Sequence, residues 1–353
     1  MSIKDLLAVA LKRKASDLHL VEGTPPTLRI NGYLVPILNQ PVLTDQEVKE
    51  LIFSLVNEEQ KEILLVNKEI DFSFAFGQEA RFRVNAYHQK GMLSAALRLI
   101  PRQIPKIDEL GLPKICHDFA KLRQGLILMA GPTGHGKSTT LAAIIDEINQ
   151  SRAVHVITIE DPIEYFFTSK KAIVSQREMK SDTHSWQIAL RSCLREDPDV
   201  VMIGEMRDFE TIASALTVAE TGHLVFATLH TNSAAQTVDR IVDVFPENQQ
   251  GQVRIQLSAS LEAVLSERLL PALAGGRVPA MEILVSTPAV KTAIRDGKTH
   301  LIDNIIQTSV ELGMKSLEMD LSHLVKKGKI SLEVAKSFAL RPEELIRLMG
   351  RQR

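Results

Sequence analysis

Apolar and polar residues alternate along this chain in two regimes, and the change falls near residue 100. Ile3, Leu6, Leu7, Ala10 and Leu11 recur at the spacing of one helix face and predict an opening helix. Strand signals follow at 16–20, at Thr27 to Ile30 and at Tyr33 to Val35. The last two flank Asn31-Gly32, a dipeptide that favours a two-residue hairpin turn. Thr44-Asp45-Gln46-Glu47 reads as a capping box that starts a helix. Ile70, Phe72, Phe74 and Phe76 then alternate with polar or small residues, predicting a strand with one buried face. Two more strands are expected over 80–88 and 92–99, joined at Gln89-Lys90-Gly91. Together these elements make a small α+β domain over residues 1–100. Residues 101–113 hold Pro101, Pro105, Gly111 and Pro113 and read as a linker.

From residue 114 the pattern changes. Apolar runs at 126–130, 154–159, 199–203 and 223–229 are each followed by a helical pattern, the order of a mostly parallel α/β sheet. After Gly275-Gly276 the pattern turns helical. Thr287-Pro288 fits a cap and first helical position, and Ser331 and Pro342 open further helices. There is no internal repeat and no low-complexity tract.

Composition adds exclusions. The 353 residues are 44% hydrophobic and 24% charged, ordinary for a globular protein, with a net charge of −1. No global basic field draws the chain to nucleic acid or anionic lipid. Lys12-Arg13-Lys14 and Lys326-Lys327 read as solvated helix faces. Cys116 and Cys193 form no C-x-x-C pair, so neither a disulfide framework nor a Cys-based zinc site is expected, and a reducing cytosol fits. The apolar run at the N-terminus is too short for a signal peptide, and its positive charges follow it. No apolar stretch reaches the ~18 residues of a membrane span. The expectation is a cytoplasmic protein that binds no nucleic acid and has no membrane span.

The densest chemistry lies in Gly131-Pro132-Thr133-Gly134-His135-Gly136-Lys137-Ser138-Thr139, which fits G-x-x-x-x-G-K-[ST] between a predicted strand and a predicted helix. Its glycines let successive backbone N–H groups point into one concavity where phosphate oxygens sit. The positive end of the following helix faces the same spot. Lys137 is placed to reach the β- and γ-phosphates, and Ser138 to hold Mg²⁺. The expected ligand is a nucleoside triphosphate.

Three further segments carry candidate chemistry. Asp199 to Glu205 has the form of a buried strand ending in a carboxylate, and Glu205 is the candidate to orient or deprotonate the attacking water. Thr158 to Tyr165 places Glu160, Asp161 and Glu164 just beyond another strand. Asp-Pro is also a common surface turn. Ligands in open α/β sheets sit at the carboxyl ends of strands, which puts these carboxylates near the metal and water, with Asp161 as the metal candidate. His223 and His230 bracket a fourth strand. Either suits a hydrogen-bonded strand end, but His230 lies at the carboxyl end and is the catalytic candidate.

Four blocks in order, GPTGHGKST, ITIEDPIEY, LREDPDVVMIGEMRD and TGHLVFATLHT, resemble the Walker A, Asp box, Walker B and His box of the secretion-type hexameric ATPases that power type II secretion and type IV pili. SDLHL, RINGYL and DFSFAF…ARFRVNAY resemble the N-terminal PAS-like domain of the pilus-retraction branch. The resemblance covers nearly the whole chain. It implies a PAS-like α+β domain over 1–100, a linker over 101–113, a RecA-like P-loop ATPase core over 114–275 and a helical region over 276–353. It also implies hydrolysis of ATP with Mg²⁺ by a homohexamer that drives pilus retraction and twitching motility. That ring would dock on the pilus platform protein at the cytoplasmic face of the inner membrane. In the family, arginines at positions matching Arg83 and Arg98 swing over the nucleotide and supply the charge of an arginine finger. Both lie on neighbouring predicted strands, and Arg81 shares the face of Arg83. Exposed strand arginines are otherwise simply solvated.

Within the family, pilus-extension and type II secretion ATPases usually carry a four-cysteine zinc insertion and extra N-terminal domains. This chain has two unpaired cysteines and begins at the PAS-like domain. The retraction branch usually carries an AIRNLIRE-like helix, of which Ala289, Ile294 and Arg295 are kept. Phe166-Phe167 stands where a less aromatic sequence is usual. Other readings are an extension or secretion ATPase, a RecA-like nucleic-acid motor and a nucleotide-gated regulator. The absent cysteines weigh against the first. One Trp, three Tyr and a charge of −1 give little support to the second. Glu205 and the intact P-loop weigh against the third.

Overall fold

The computed structural model describes residues 2–30, 32–77, 80–100 and 103–350. The chain divides into two compact units, Met1–Gln103 with Pro162–Phe166, and Ile104–Asp161 with Phe167–Arg353.

In the first unit, α1 (Ile3–Lys12) starts at a capping box between Ser2 and Asp5 and buries Ile3, Leu6, Leu7 and Ala10. The strands β1 (Asp17–Val21), β2 (Thr27–Ile30) and β3 (Tyr33–Pro36) come next, then helices α2 (Asp45–Phe53) and α3 (Glu58–Asn67). Strands β4 (Glu69–Phe76), β5 (Ala80–Gln89) and β6 (Met92–Ile100) complete an antiparallel sheet in the order β3-β2-β1-β6-β5-β4. Ile30 pairs with Tyr33, which fixes the expected two-residue hairpin, although Asn31 itself lies outside the described residues. Thr44 and Glu47 form the expected capping box at the start of α2. Lys90 and Gly91 both have positive φ (51° and 84°), the geometry of a tight turn that matches strand twist. Arg83 stands directly across from Arg98 in the β5–β6 ladder. The Arg81 guanidinium lies 3.8 Å from the centre of the Phe166 ring, a cation–π contact that gives this aromatic residue a physical role.

The second unit opens with α4 (Ile115–Phe119), β7 (Gly125–Ala130), α5 (Lys137–Ser151), β8 (His155–Glu160), β9 (Ile173–Glu178) and α6 (Trp186–Cys193). It continues through β10 (Val200–Ile203), α7 (Phe209–Glu220), β11 (Leu224–Leu229), α8 (Ala234–Asp243), α9 (Glu247–Ser260), β12 (Leu261–Pro271) and β13 (Arg277–Val285). It ends in α10 (Pro288–Arg295), α11 (Ile302–Thr308), α12 (Leu317–Lys326), α13 (Leu332–Phe338) and α14 (Pro342–Gly350). The seven strands run β13-β12-β7-β11-β10-β8-β9, parallel except for the β12–β13 pair.

Both faces of this sheet are covered. Leu126, Leu128 and Ala130 of β7 enter a core with residues of α6 to α9, while Ile127 and Met129 enter a second core with α4 and α5. That is why the strand reads as an unbroken apolar run. Cys116 and Cys193 are buried in these two cores, and burial pushes their thiols up to about 12 and about 11 respectively.

Three readings of the pattern need correction. Residues 277–285, expected to be helical, form β13 and pair with β12. The strands β9 and β12 were not apparent from the apolar runs. Of the stretch read as a linker, Pro101 and Arg102 lie outside the described residues, and 104–113 fold onto the second unit. Ile107 and Leu112 are buried in its core. His117 anchors the same stretch, with Nε2 3.3 Å from Asp108 and Nδ1 2.7 Å from Glu147 on α5.

Candidate nucleotide site

The carboxyl ends of β7, β11, β10 and β8 lie side by side. Their registers pair Ala130 with Leu229, Ala227 with Ile203, and Ile203 with Ile159. The loop 131–136, His230, Glu205 and Glu160 therefore gather at one edge of the sheet, where ligands of such sheets bind.

The loop needs its glycines. Gly131, Gly134 and Gly136 have φ of +139°, +79° and +100°. A Cβ on Gly131 would stand 2.5 Å from the Glu267 carbonyl oxygen, and one on Gly136 would stand 2.5 Å from Glu267 Oε1. Gly136 is the N-cap of α5 and contributes no side chain there, which leaves the first-turn N–H groups for an anion. Lys137 is buried, with Nζ donating to the carbonyls of Gly131 (2.7 Å) and Pro132 (2.9 Å). His135 accepts at Nδ1 from the backbone N–H of Leu269 at 3.0 Å. Burial lowers the His135 pKa below its ordinary value, helped by Arg268, Lys137 and Arg277, so the imidazole is neutral and free of a proton at Nδ1.

A chain of close polar contacts joins three of the motifs. Thr133 Oγ1 lies 3.2 Å from His230 Nδ1, and His230 Nε2 lies 3.2 Å from Glu205 Oε1. Arg207 grips the same carboxylate at both oxygens, at 2.5 and 2.6 Å. Gly204 lets β10 approach β8, since a Cβ there would be 3.2 Å from the Glu160 Cα. Glu160 is buried and accepts from Thr158 Oγ1 (2.7 Å) and Gln176 Nε2 (3.3 Å). Asp161 is exposed, 3.8 Å from Lys180. His223 sits at the opposite end of β11, with Nδ1 near the Val218 carbonyl (3.1 Å) and Thr221 Oγ1 (3.0 Å), a structural strand-end histidine.

The remaining candidates belong to the first unit. Glu164 lies in the segment Pro162–Phe166. Arg83 pairs with Asp71 at 3.7 Å, and Arg98 with Asp17 at 3.0 Å.

The pattern reading missed Arg207, Glu267 and Arg268. Arg268 is buried and donates to the carbonyls of Glu267 (3.1 Å) and Asn232 (2.9 Å), tying β12 to the loop after His230. The signal was present: Ser266-Glu267-Arg268 sets two charges inside an apolar run, which a buried strand tolerates only when they are paired.

The oxygen donors suit Mg²⁺, which takes one or two protein oxygens and otherwise phosphates and water. Ser138, at the second position of α5, and Asp161 are of that type. Among the described residues there is no group of three or more His, Cys, Asp or Glu that would hold a metal without help from a ligand.

A glycine cradle, a buried lysine and a histidine-linked carboxylate at the edge of a parallel sheet define a P-loop nucleotide hydrolase of RecA-like fold. Residues 1–276 match the family described as type II/IV secretion system protein. The chain is 48% identical over 343 residues to the type IV pilus retraction ATPase PilT of Pseudomonas aeruginosa, covering 97% of this chain and 99% of that one. It is 45% identical over 345 residues to a twitching motility protein of Neisseria gonorrhoeae, covering 98% and 92%. A crystal structure of the pilus retraction motor PilT with bound ADP superposes with a TM-score of 0.92 at 47% identity, covering 98% and 99%. That of the Legionella pneumophila ATPase DotB gives 0.85 at 30%, covering 96% and 95%. The chain belongs to the type II/IV secretion system protein family, and it is an ATPase.

Proposed function

We propose that this protein hydrolyses ATP to drive retraction of type IV pili, as a homohexamer docked on the inner-membrane pilus platform protein at its cytoplasmic face. The observation that carries the catalytic reading is the chain from Thr133 through His230 to Glu205, which links the phosphate loop to a carboxylate at the next-but-one strand. Glu205 accepts the proton of the attacking water or orients it, and His230 holds one carboxylate oxygen in place. Lys137 and the N–H groups at the start of α5 hold the phosphates and stabilise the charge that builds up on them. Mg²⁺, held by Ser138 and Asp161, would neutralise charge on the phosphate oxygens. Glu160 sets the end of β8 beside Glu205, and Glu164 belongs to the same acidic segment. Arg83 and Arg98, paired with Asp71 and Asp17 at the surface of their sheet, supply further positive charge during turnover. The retraction reading rests on the relatives' near-full-length identity and on the kept residues of α10, Ala289, Ile294 and Arg295.

The test has two parts. The purified protein should release phosphate from ATP in the steady state, and Lys137→Ala should remove nearly all of that turnover while remaining folded. Deleting the gene should leave cells with surplus surface pili that no longer retract. Wild-type turnover in Lys137→Ala would overturn the site, and normal retraction in the deletion would overturn the role.

A further inference from the structure

Three consecutive residues of β12 hold the phosphate loop from behind. The Glu267 carbonyl lies against Gly131 at the loop's start, and the Glu267 carboxyl lies against Gly136 at its end. Thr140, one turn into α5, donates from Oγ1 to Glu267 Oε2 at 2.9 Å. Arg268 donates to the Glu267 carbonyl, and the Leu269 N–H donates to His135. Glu267 is 2% exposed. An apolar side chain would fill this space without the cost of burying a carboxyl, so the carboxyl calls for a use.

The charged and titratable groups around it come from every neighbouring element. Lys137 faces it from α5, and Cys116 from α4. Lys315, ahead of α12, acts on Cys116 in turn, and His135 belongs to the loop itself. Arg268 and Glu282 lie on the opposite face of the β12–β13 ladder, since Glu267 pairs with Met281 and Ser266 with Glu282.

We propose that Glu267 is a positioning residue whose charge sets nucleotide affinity: when neutral it braces Gly136 and Thr140 beneath the phosphates, and when ionised it competes with them for Lys137. The inference rests on the loop 131–139 being the ATP site. Burial pushes this carboxyl up to about 7, while the Thr140 hydroxyl and the Lys137 charge pull it back. The two forms therefore exchange near neutral pH. A negative charge behind the phosphates opposes binding, so affinity falls as pH rises through that value.

The experiment measures the dissociation constant of ADP for the full-length protein between pH 6 and pH 8. Wild type should weaken by about tenfold more than the nucleotide's own titration explains. Glu267→Gln, which keeps an acceptor for Thr140, should hold the low-pH affinity of wild type throughout. Thr140→Val removes a bond that lowers the carboxyl's pKa and should move the wild-type transition to higher pH. A Glu267→Gln profile that tracks wild type would overturn the inference. So would a transition that Thr140→Val leaves in place. Lys137→Ala separates the two levels. Full ADP binding and turnover in that variant would remove the ATP site and this inference with it. An inactive Lys137→Ala beside an unaltered Glu267→Gln profile would sink the inference alone.

Discussion

Glu205 owes its usefulness to its neighbours. His230 and Arg207 hold its carboxylate in one orientation, as a group that must meet a water in line with a phosphorus requires. Glu205→Gln keeps the shape and loses the base. It should bind nucleotide but hydrolyse it about 10²- to 10⁴-fold more slowly, read by phosphate release alongside a binding isotherm. Failure to bind would assign Glu205 a structural role instead. His230→Ala should slow turnover more than His223→Ala, because His223 only closes the far end of β11. The reverse order in a paired assay would displace the γ-phosphate from the place given to it. These residues were legible in the sequence because each ends an apolar run, where a strand delivers its last side chain to the ligand edge. Arg207 and Glu267 were not. Charges inside an apolar run mark Glu267 as paired, but its partner Thr140 lies on a distant helix, and spacing along the chain does not say which residue that is.

At the scale of elements, strands covered on both faces were easy to read and those at the sheet's flank were not. The sequences of β7, β10 and β11 are unbroken apolar runs, whereas β9 is an edge strand with polar Ser175, Gln176 and Arg177. Leu261 to Pro271 combines branched residues with Glu and Arg, which suits helix and strand alike, and only its pairing with β7 and β13 decides. The elements also set the cost of change. Gly131→Ala places a methyl against a backbone carbonyl that cannot turn aside, at a φ unsuited to alanine. Chemical denaturation should show a loss of ~2 kcal/mol or more. Glu282, buried on β13, accepts from the N–H of Ala234 at the start of α8 at 2.6 Å. Burial pushes its carboxyl up to about 7, against the pull of that N–H, with Asp303 and Glu318 adding to the rise and Arg341 opposing it. The folded state thus binds a proton that the unfolded chain releases above about 4.5. This group's stabilisation is full below that pH and is lost as pH rises through about 7. Glu282→Gln should accordingly raise the melting temperature more at pH 8 than at pH 5. A uniform shift at both would reject the assignment.

For the molecule as a whole, the arginines of the first unit carry the sharpest expectation. Arg83 and Arg98 face each other across one ladder, an arrangement that costs stability unless carboxylates relieve it. Asp71 and Asp17 do so. Arg83→Ala and Arg98→Ala should each lower kcat sharply, on the order of 10³-fold if they act as arginine fingers. ATP affinity should change little, and the assembly state should match that of wild type by light scattering. Unaffected turnover in both variants, or a fully active monomer, would end that mechanism. The two thiols carry a different consequence. Cys116 and Cys193 are enclosed in the cores on either side of the sheet and stay protonated at neutral pH, whereas alkylating reagents attack the exposed thiolate. The native protein should therefore take up no maleimide, by intact mass, until it is unfolded. It behaves as a cysteine-free background, so a fluorophore attached at one introduced surface cysteine would report on that position alone while the motor turns over.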